Sequence, residues 1–313
     1  MSSLLARFAA NSYWLARYLE RAESLARLLD INETYARDKP SGPDWRRIIE
    51  LYADSENFAS KHKRADAESV LNFYVLDRDN PTSIAYAVAA ARQNGRSIRH
   101  LISTEMWTQL NIFHNKMLTL TQHDIRTSNL SPVCTSIKLD CQTFEGITEG
   151  TMTRSKTWLF YQMGKYMERA DQTTRVLDMG YGWLATSDDD APISVHWNML
   201  LRSVAGYHAY RSRHPAGSYS SDVAAFLVYD REFVRSVTCC MDRVSEYLIE
   251  AEKDHGKKRS EALESARHDV VFHLETGPGK RVTQKELHKF LDGLQGKIGQ
   301  LSQEIYATYF AID

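Results

Sequence analysis

A chain of 313 residues with 43% apolar and 25% charged side chains has the make-up of a soluble globular protein long enough for more than one core. Its formal net charge of −1 removes any global electrostatic case for nucleic acid or an anionic membrane as partner. Four cysteines without metal-type spacing argue for reduced thiols, and apolar runs such as 84–91 and 223–229 are far too short to span a bilayer.

The elements follow in chain order. From about Leu4 to Tyr35, Leu15, Leu19, Ala22, Ala26 and Leu29 recur at 4-3-4-3 spacing, one stripe of a bundle helix. Arg7, Arg17, Glu20 and Arg21 on this helix interrupt any export-signal core, so a cytoplasmic chain is expected. Lys39 to Pro43 reads as a loop, and Pro43 is expected to open a helix reaching about Ser60. Glu68 to Leu76 is again helical. Asn80-Pro81 reads as a cap and first turn of one long helix through Ile98, Ile102, Trp107 and Leu110. After an irregular stretch from Met117 to Pro132, helix resumes near Val133, and Gly146 and Gly150 are expected to break it. A long helix follows from about Thr153 to Thr186, then the acidic link Ser187 to Asp190, further helices, a turn at Thr276 to Gly279, and a last helix capped by Thr283. No segment reads as a strand, so the fold class is all-α.

The chain repeats itself. Tyr13 to Asp30 recurs as Tyr161 to Asp178 at a constant offset of 148 (166 − 18), with Tyr, Arg/Lys, Tyr and Glu-Arg-Ala in register. Glu23 and Arg27 form an i,i+4 pair, repeated by Asp171 and Arg175. Trp197 answers Trp45, and Val223-x-x-Phe226-x-x-x-Asp230-Arg231 answers Val70-x-x-Phe73-x-x-x-Asp77-Arg78. Two pseudo-symmetric halves, 1–150 and 151–313, packed together as one helical assembly, are the expected organisation.

Within the repeated stretch, Glu20 and Glu168 each follow a small residue by one turn, Ala16 and Gly164. A mid-helix glycine costs roughly 1 kcal/mol relative to alanine, so a close neighbour is expected there. Both helices are expected to be more than half buried. Their glutamates should then lie in a crowded polar interior with Arg17, Arg21, Lys165 and Arg169. One reading makes these charges inter-helix salt bridges copied by duplication. The other makes them a site that grips an anionic or carboxylate-bearing ligand with arginines, Glu20 or Glu168 acting as acid/base and Tyr13 alongside. Glu145 and Glu149, at i,i+4 near two glycines, line a cleft or face solvent; Glu105 beside Trp107 reads as an exposed acid on a core helix. Glu252-x-x-His255 has di-iron spacing but no second copy, so no metal is expected. Gly277 to Lys280 lacks phosphate-loop spacing, and Cys134 and Cys141 have no motif partner; no cofactor is expected.

Taken together, Tyr13 to Glu23, Leu28-Leu29-Asp30, Ser103-Thr104-Glu105-Met106-Trp107, Phe144-Glu145-Gly146, Glu149-Gly150-Thr151-Met152 and Tyr166 to Gln172 resemble the bacterial alpha-E family along essentially the whole chain. The resemblance implies an all-helical fold. It also implies a gene neighbourhood with a circularly permuted ATP-grasp ligase, a transglutaminase-like cysteine protease and sometimes an Anbu-type peptidase. A role in making, modifying or trimming a peptide or amide-linked product follows from that context, with the ligase and protease as partners. The second copy departs from the arginine-rich pattern of relatives at Gln162 and Lys165, and lysine does not replace a guanidinium fork. The expected function is an accessory or substrate-presenting helical partner. The alternatives are a helical enzyme acting on amide or amino-acid-like substrates through Glu20 or Glu168, and an oligomerising scaffold.

Overall fold

The computed structural model describes residues 3–36, 44–186, 193–215, 220–253, 260–279 and 283–311. The chain divides into two compact units, residues 14–153 and residues 1–13 with 154–313. In chain order the helices are α1 (Ser3–Ala36), α2 (Arg46–Leu51), α3 (Ser55–Lys61) and α4 (Ala67–Leu71), the last running into a π-helical turn (Asn72–Leu76). Next come α5 (Ile84–Ser97), α6 (Thr104–Thr119), α7 (Leu130–Thr151), α8 (Lys156–Thr186), α9 (Ile193–Ser203) and α10 (Tyr207–Arg213). The chain closes with α11 (Ser220–Tyr229), α12 (Val237–Lys253), α13 (Glu261–Glu275) and α14 (Gln284–Ile305), followed by a second π-helical turn (Tyr306–Phe310). Among the described residues there is no strand, so the fold is all-α, and no helix is long and apolar enough to cross a membrane.

Side-chain caps decide where the helices begin, and they move several expected boundaries. Asn80 does not start a helix. Its buried amide donates to the Phe73 carbonyl at 2.9 Å and its oxygen accepts the Thr82 N–H at 3.0 Å, which fixes the turn instead. The helix waits for Ser83, whose hydroxyl accepts the Tyr86 N–H. Nor does that helix run on to Leu110. It stops at Ser97, and Ser103 caps a new one through the Met106 N–H. The apolar spacing through Ile98 and Ile102 masks this restart, which Ser103 and the first-turn Glu105 signal. The helix expected from Pro43 to Ser60 is likewise two, separated at Ala53, whose φ of 54° no helix accommodates. Conversely, α7 continues unbroken through Gly146 and Gly150, both on its exposed side. Thr283 caps α14 as expected and forms a full capping box with Glu286. The loop at 39–43, the acidic link at 187–190 and His255 lie outside the described residues.

In the unit of residues 14–153, α5, α6 and α7 pack in succession around Val88, Met106, Leu110, Phe113, Ile137 and Phe144. In the other unit α8 lies along α12 and α14, and α13 packs on α14.

The repeat reaches local detail in each unit. Helix by helix, α8–α14 follow the order of α1–α7, with 34 and 31 residues in the first member of each run and 22 in each last member. Ala53 and Ala205 are the non-glycine residues with positive φ among those described, at 54° and 57°. Each follows a short helix whose end is closed the same way, by Asp54 N–H to Ile49 O and Gly206 N–H to Leu201 O. His62 then stacks on Phe58, and His214 on Tyr210. Lys61 pairs with Asp77 and Arg213 with Asp230. The second carboxylate oxygen of each aspartate accepts a backbone N–H two residues on, from Asp79 and Glu232, at 2.9 Å. The Ser83 and Ser236 hydroxyls donate to the Asp77 and Asp230 carbonyls while capping α5 and α12. The two aspartates therefore brace a turn and tie it to the preceding short helix.

One repeated pair differs in chemistry. Asp30 is bound by Lys138 at 2.6 Å, whereas Asp178 is bound by His288 Nδ1 at 2.6 Å, with Asp292 at 3.4 Å from Nε2. The hydrogen bond and charge of Asp178 raise the His288 pKa, against a small burial effect, and Asp292 adds to the rise. A raised pKa in the folded state gives stability that is fully present below the ordinary histidine range and fades as pH rises through the elevated value. His288 is more than half exposed, so screening keeps the effect below about 1 kcal/mol. The expected outcome is a melting temperature that declines as pH rises through and above the ordinary histidine range in the wild type, and declines less in His288→Lys. Thermal melts of both proteins across that range check it.

Candidate functional site

The repeated stretch places its two glutamates in the interior. α1 is buried on most of its circumference: Leu15, Ala16, Leu19, Glu20, Ala22, Glu23, Leu25 and Ala26 are all inside. Glu20 is 5% exposed, and in α8 Glu168 is 0% exposed. The expectation that both helices are more than half buried holds. Glu168 accepts a hydrogen bond at 3.0 Å from the Gln172 amide one turn on, and Lys165 is buried one turn before it. The buried carboxylate is thus held within a polar patch of its own helix.

The basic residues lie over aromatic rings. The Arg17 guanidinium sits 4.9 Å from the Trp14 ring centre, Arg21 at 5.7 Å from Tyr18, and Arg169 at 5.4 Å from Tyr166, which the Lys165 amine also approaches at 4.8 Å. All three arginines are half-buried. Such contacts contribute about 0.5–2 kcal/mol each and hold the cationic ends beside the helix that carries them. Burial drives the Tyr166 hydroxyl up to about 12, so it stays protonated at neutral pH. Burial likewise raises Tyr18, helped by the neighbouring Tyr86.

Tyr13, expected near a ligand, is a core residue with 1% exposure. Its hydroxyl is 3.2 Å from Ser302 Oγ, and its ring packs on Phe310, which also meets Phe160. Nearby, the Ser12 hydroxyl donates to the Thr157 carbonyl at 2.7 Å. This is where Gly164 is needed. A β-carbon there would fall 2.9 Å from the Tyr13 carbonyl carbon and closer still to its oxygen, so the small residue admits another backbone.

The remaining expected site residues are spread along other helices. Glu105 is exposed in the first turn of α6, where its charge complements the helix N-terminus. Glu149 is exposed and Glu145 half-buried on α7.

Sequence reasoning missed a second line of interior charge. Glu20, Glu23, Arg27, Asp30 and Glu33 recur at 3-4-3-3 spacing, and all but the half-buried Arg27 are buried. Arg27 pairs with Glu23 at 2.6 Å, as Arg175 does with Asp171 at 2.9 Å. α7 supplies the opposing groups: Lys138 to Asp30, Gln142 to Glu23 at 3.4 Å, and a buried Cys134 and Cys141. The spacing was visible in the sequence, but a charged stripe opposite an apolar one ordinarily faces solvent.

The two α7 thiols are buried and held in the neutral form. Burial raises Cys141 well above the usual thiol range, and the carboxylates of Glu23, Glu20 and Asp140 raise it further. Cys134 is raised by burial and by Asp30. Neutral thiols in such surroundings are unreactive. Among the described residues one group has donors close enough to share an ion: Asp178, His288 and Asp292, within 4.8 Å of one another. Both ring nitrogens of His288 already face carboxylates, so the trio reads as an exposed ion triad.

Comparison with known proteins fits this interior Glu-Arg step. No solved structure matches the chain. Uncharacterized proteins of Mycobacterium bovis and Mycobacterium tuberculosis are 22% identical over 324 residues, covering 96% of this chain but 35% of their own length. The chain therefore spans about a third of the length of the curated relatives it matches. A family model described as a predicted alpha-helical domain with a conserved ER motif matches residues 4–310, and Glu20-Arg21 and Glu168-Arg169 are two such steps in this chain. The chain belongs to the Alpha-E family.

Proposed function

We propose that this protein is an accessory, substrate-presenting helical partner of an ATP-grasp peptide or amide ligase and a transglutaminase-like protease, working in the cytoplasm. In this reading the two seven-helix runs form pseudo-symmetric halves. The observation that supports it is the coverage: in the relatives a segment similar to this chain makes up about a third of a longer chain, where it is joined to further protein. The identity of that protein comes from the family resemblance. Burial of Glu20 and Glu168, and thiols held neutral, support a role in binding and positioning. The test is a pull-down with the purified full chain as bait and the neighbouring ligase and protease as prey. Retention of either at micromolar concentration is the expected result. A chain that ignores both at that level overturns the proposal.

A second reading, an enzyme acting on amide or amino-acid-like substrates, is favoured by one feature. Glu168 and Lys165 are a carboxylate and an amine buried within one turn of each other. Glu20 or Glu168 would then move the proton, with Tyr13, Arg17, Arg21, Lys165 and Arg169 as anchors and Glu145, Glu149 and Glu105 as outlying candidates. Glu20→Gln and Glu168→Gln would abolish turnover of such a substrate while leaving the fold intact. A lowered melting temperature with no turnover to lose returns the charges to structure.

A further inference from the structure

Outside the repeated stretch, a groove of about 520 Å³ lies between α4 and the connection from α6 to α7. That volume lies within the range of small-molecule sites. Its apolar lining is Ala67, half-buried on α4, above Leu71 and Ile125, both buried in the fold. Its rim carries Glu68 on α4 and His123, Arg126 and Thr127 on the connection.

The connection is internally braced. The Thr121 N–H and hydroxyl both donate to Asp124 Oδ2, at 2.8 and 2.6 Å. The Asn129 N–H donates to the Arg126 carbonyl at 2.8 Å, and its side-chain amide to the His123 carbonyl at 3.4 Å. Buried Ile125 pins the middle. A ligand entering this groove therefore meets a largely preformed surface and gives up little binding energy to ordering it.

The charges on the rim are unspent. The Gln122 amide donates to Glu68 Oε1 at 2.6 Å, which orients the carboxylate and leaves its other oxygen without a partner among the described residues. The Arg126 guanidinium makes no hydrogen bond or ion pair among the described residues. A groove with an oriented acid, an unengaged guanidinium and an aliphatic lining is complementary to a molecule that carries both charges on a small apolar body.

We propose that this groove binds a small aliphatic zwitterion, a free α-amino acid or a dipeptide. Glu68 receives its ammonium group, Arg126 receives its carboxylate, and Ala67, with Leu71 and Ile125 forming the floor beneath, receives its side chain. This assignment goes beyond the partnership proposed above and does not rest on it; a failed pull-down would leave it standing, and its own failure would leave the pull-down untouched.

Calorimetric titration of the full chain with leucine and with leucyl-leucine tests it and separates the two sources. At least one of them is expected to bind. Glu68→Gln and Arg126→Gln are each expected to weaken that binding roughly tenfold or more. N-acetyl-leucine and leucinamide, each lacking one charge, should lose a similar factor. Both side chains are exposed, so neither substitution should disturb the fold, and matching thermal melts would show this. No binding of leucine or leucyl-leucine up to about 10 mM overturns the proposal. So does binding that both blocked derivatives share, or that both variants retain in full.

Discussion

Replacing Gly164 with alanine is expected to cost about 3 kcal/mol, enough to lower the melting temperature by roughly 10 °C. The added methyl would meet the main chain of Tyr13, which belongs to α1 and cannot swing aside as a side chain would. The same substitution at Gly146 has no atom within 4 Å and sits on the exposed side of α7. There the higher helix propensity of alanine should add about 0.5–1 kcal/mol. Gly95 and Gly180 fall between these cases, because the atoms a β-carbon would meet are the ends of Leu110 and Leu200 side chains. Urea unfolding of Gly164→Ala beside Gly146→Ala decides the point. Equal midpoints would mean that α1 and α8 do not approach as closely as described.

The second large effect is expected at Glu168. Glu168→Ala removes a fully buried carboxylate, leaves the Gln172 donor without that acceptor and leaves buried Lys165 without a charge one turn away. Breaking a buried charged arrangement by removing one member costs about 3–5 kcal/mol. Glu168→Gln keeps the shape and should cost less. Glu105→Ala and Glu149→Ala, both exposed, should stay within about 0.5 kcal/mol of wild type. Denaturant melts of the four variants measure this directly. A neutral Glu168→Ala would contradict the structural role assigned to the Glu-Arg step.

Several of these features were readable in the sequence, each for a local reason. Helical class followed from apolar spacing. The Glu23–Arg27 and Asp171–Arg175 pairs, the Thr283 cap and the need for a small residue at Gly164 followed from rules that act within one or two turns. The interruptions were harder. Asn80-Pro81 looked like a helix start because the pair fits that role on its own. Only the fold reveals that Asn80 is spent on the Phe73 carbonyl. Ala53 carries no signal at all for a positive φ, and Ala205, at the matching place in the repeat, adopts the same conformation.

The candidate site was legible as residue types and, for its two glutamates, as a buried environment. The sequence singled out Glu20 and Glu168 and set both in a crowded polar interior, but it did not name the groups that cover them. Burial on nearly every side of α1 depends on neighbours distant in sequence, such as α7 with Lys138 and Gln142. Tyr13 shows the same limit. Its place in the repeat suggested a ligand, and its contacts with Ser302 and Phe310 make it core.

Hydrogen exchange along α1 and α8 tests the central claim most directly, namely that both Glu-Arg steps are interior structure. Backbone amides flanking Glu20 and Glu168 should exchange only through global unfolding, and so slow together as stability rises. Rapid exchange at either step, at rates typical of an exposed helix, would contradict it.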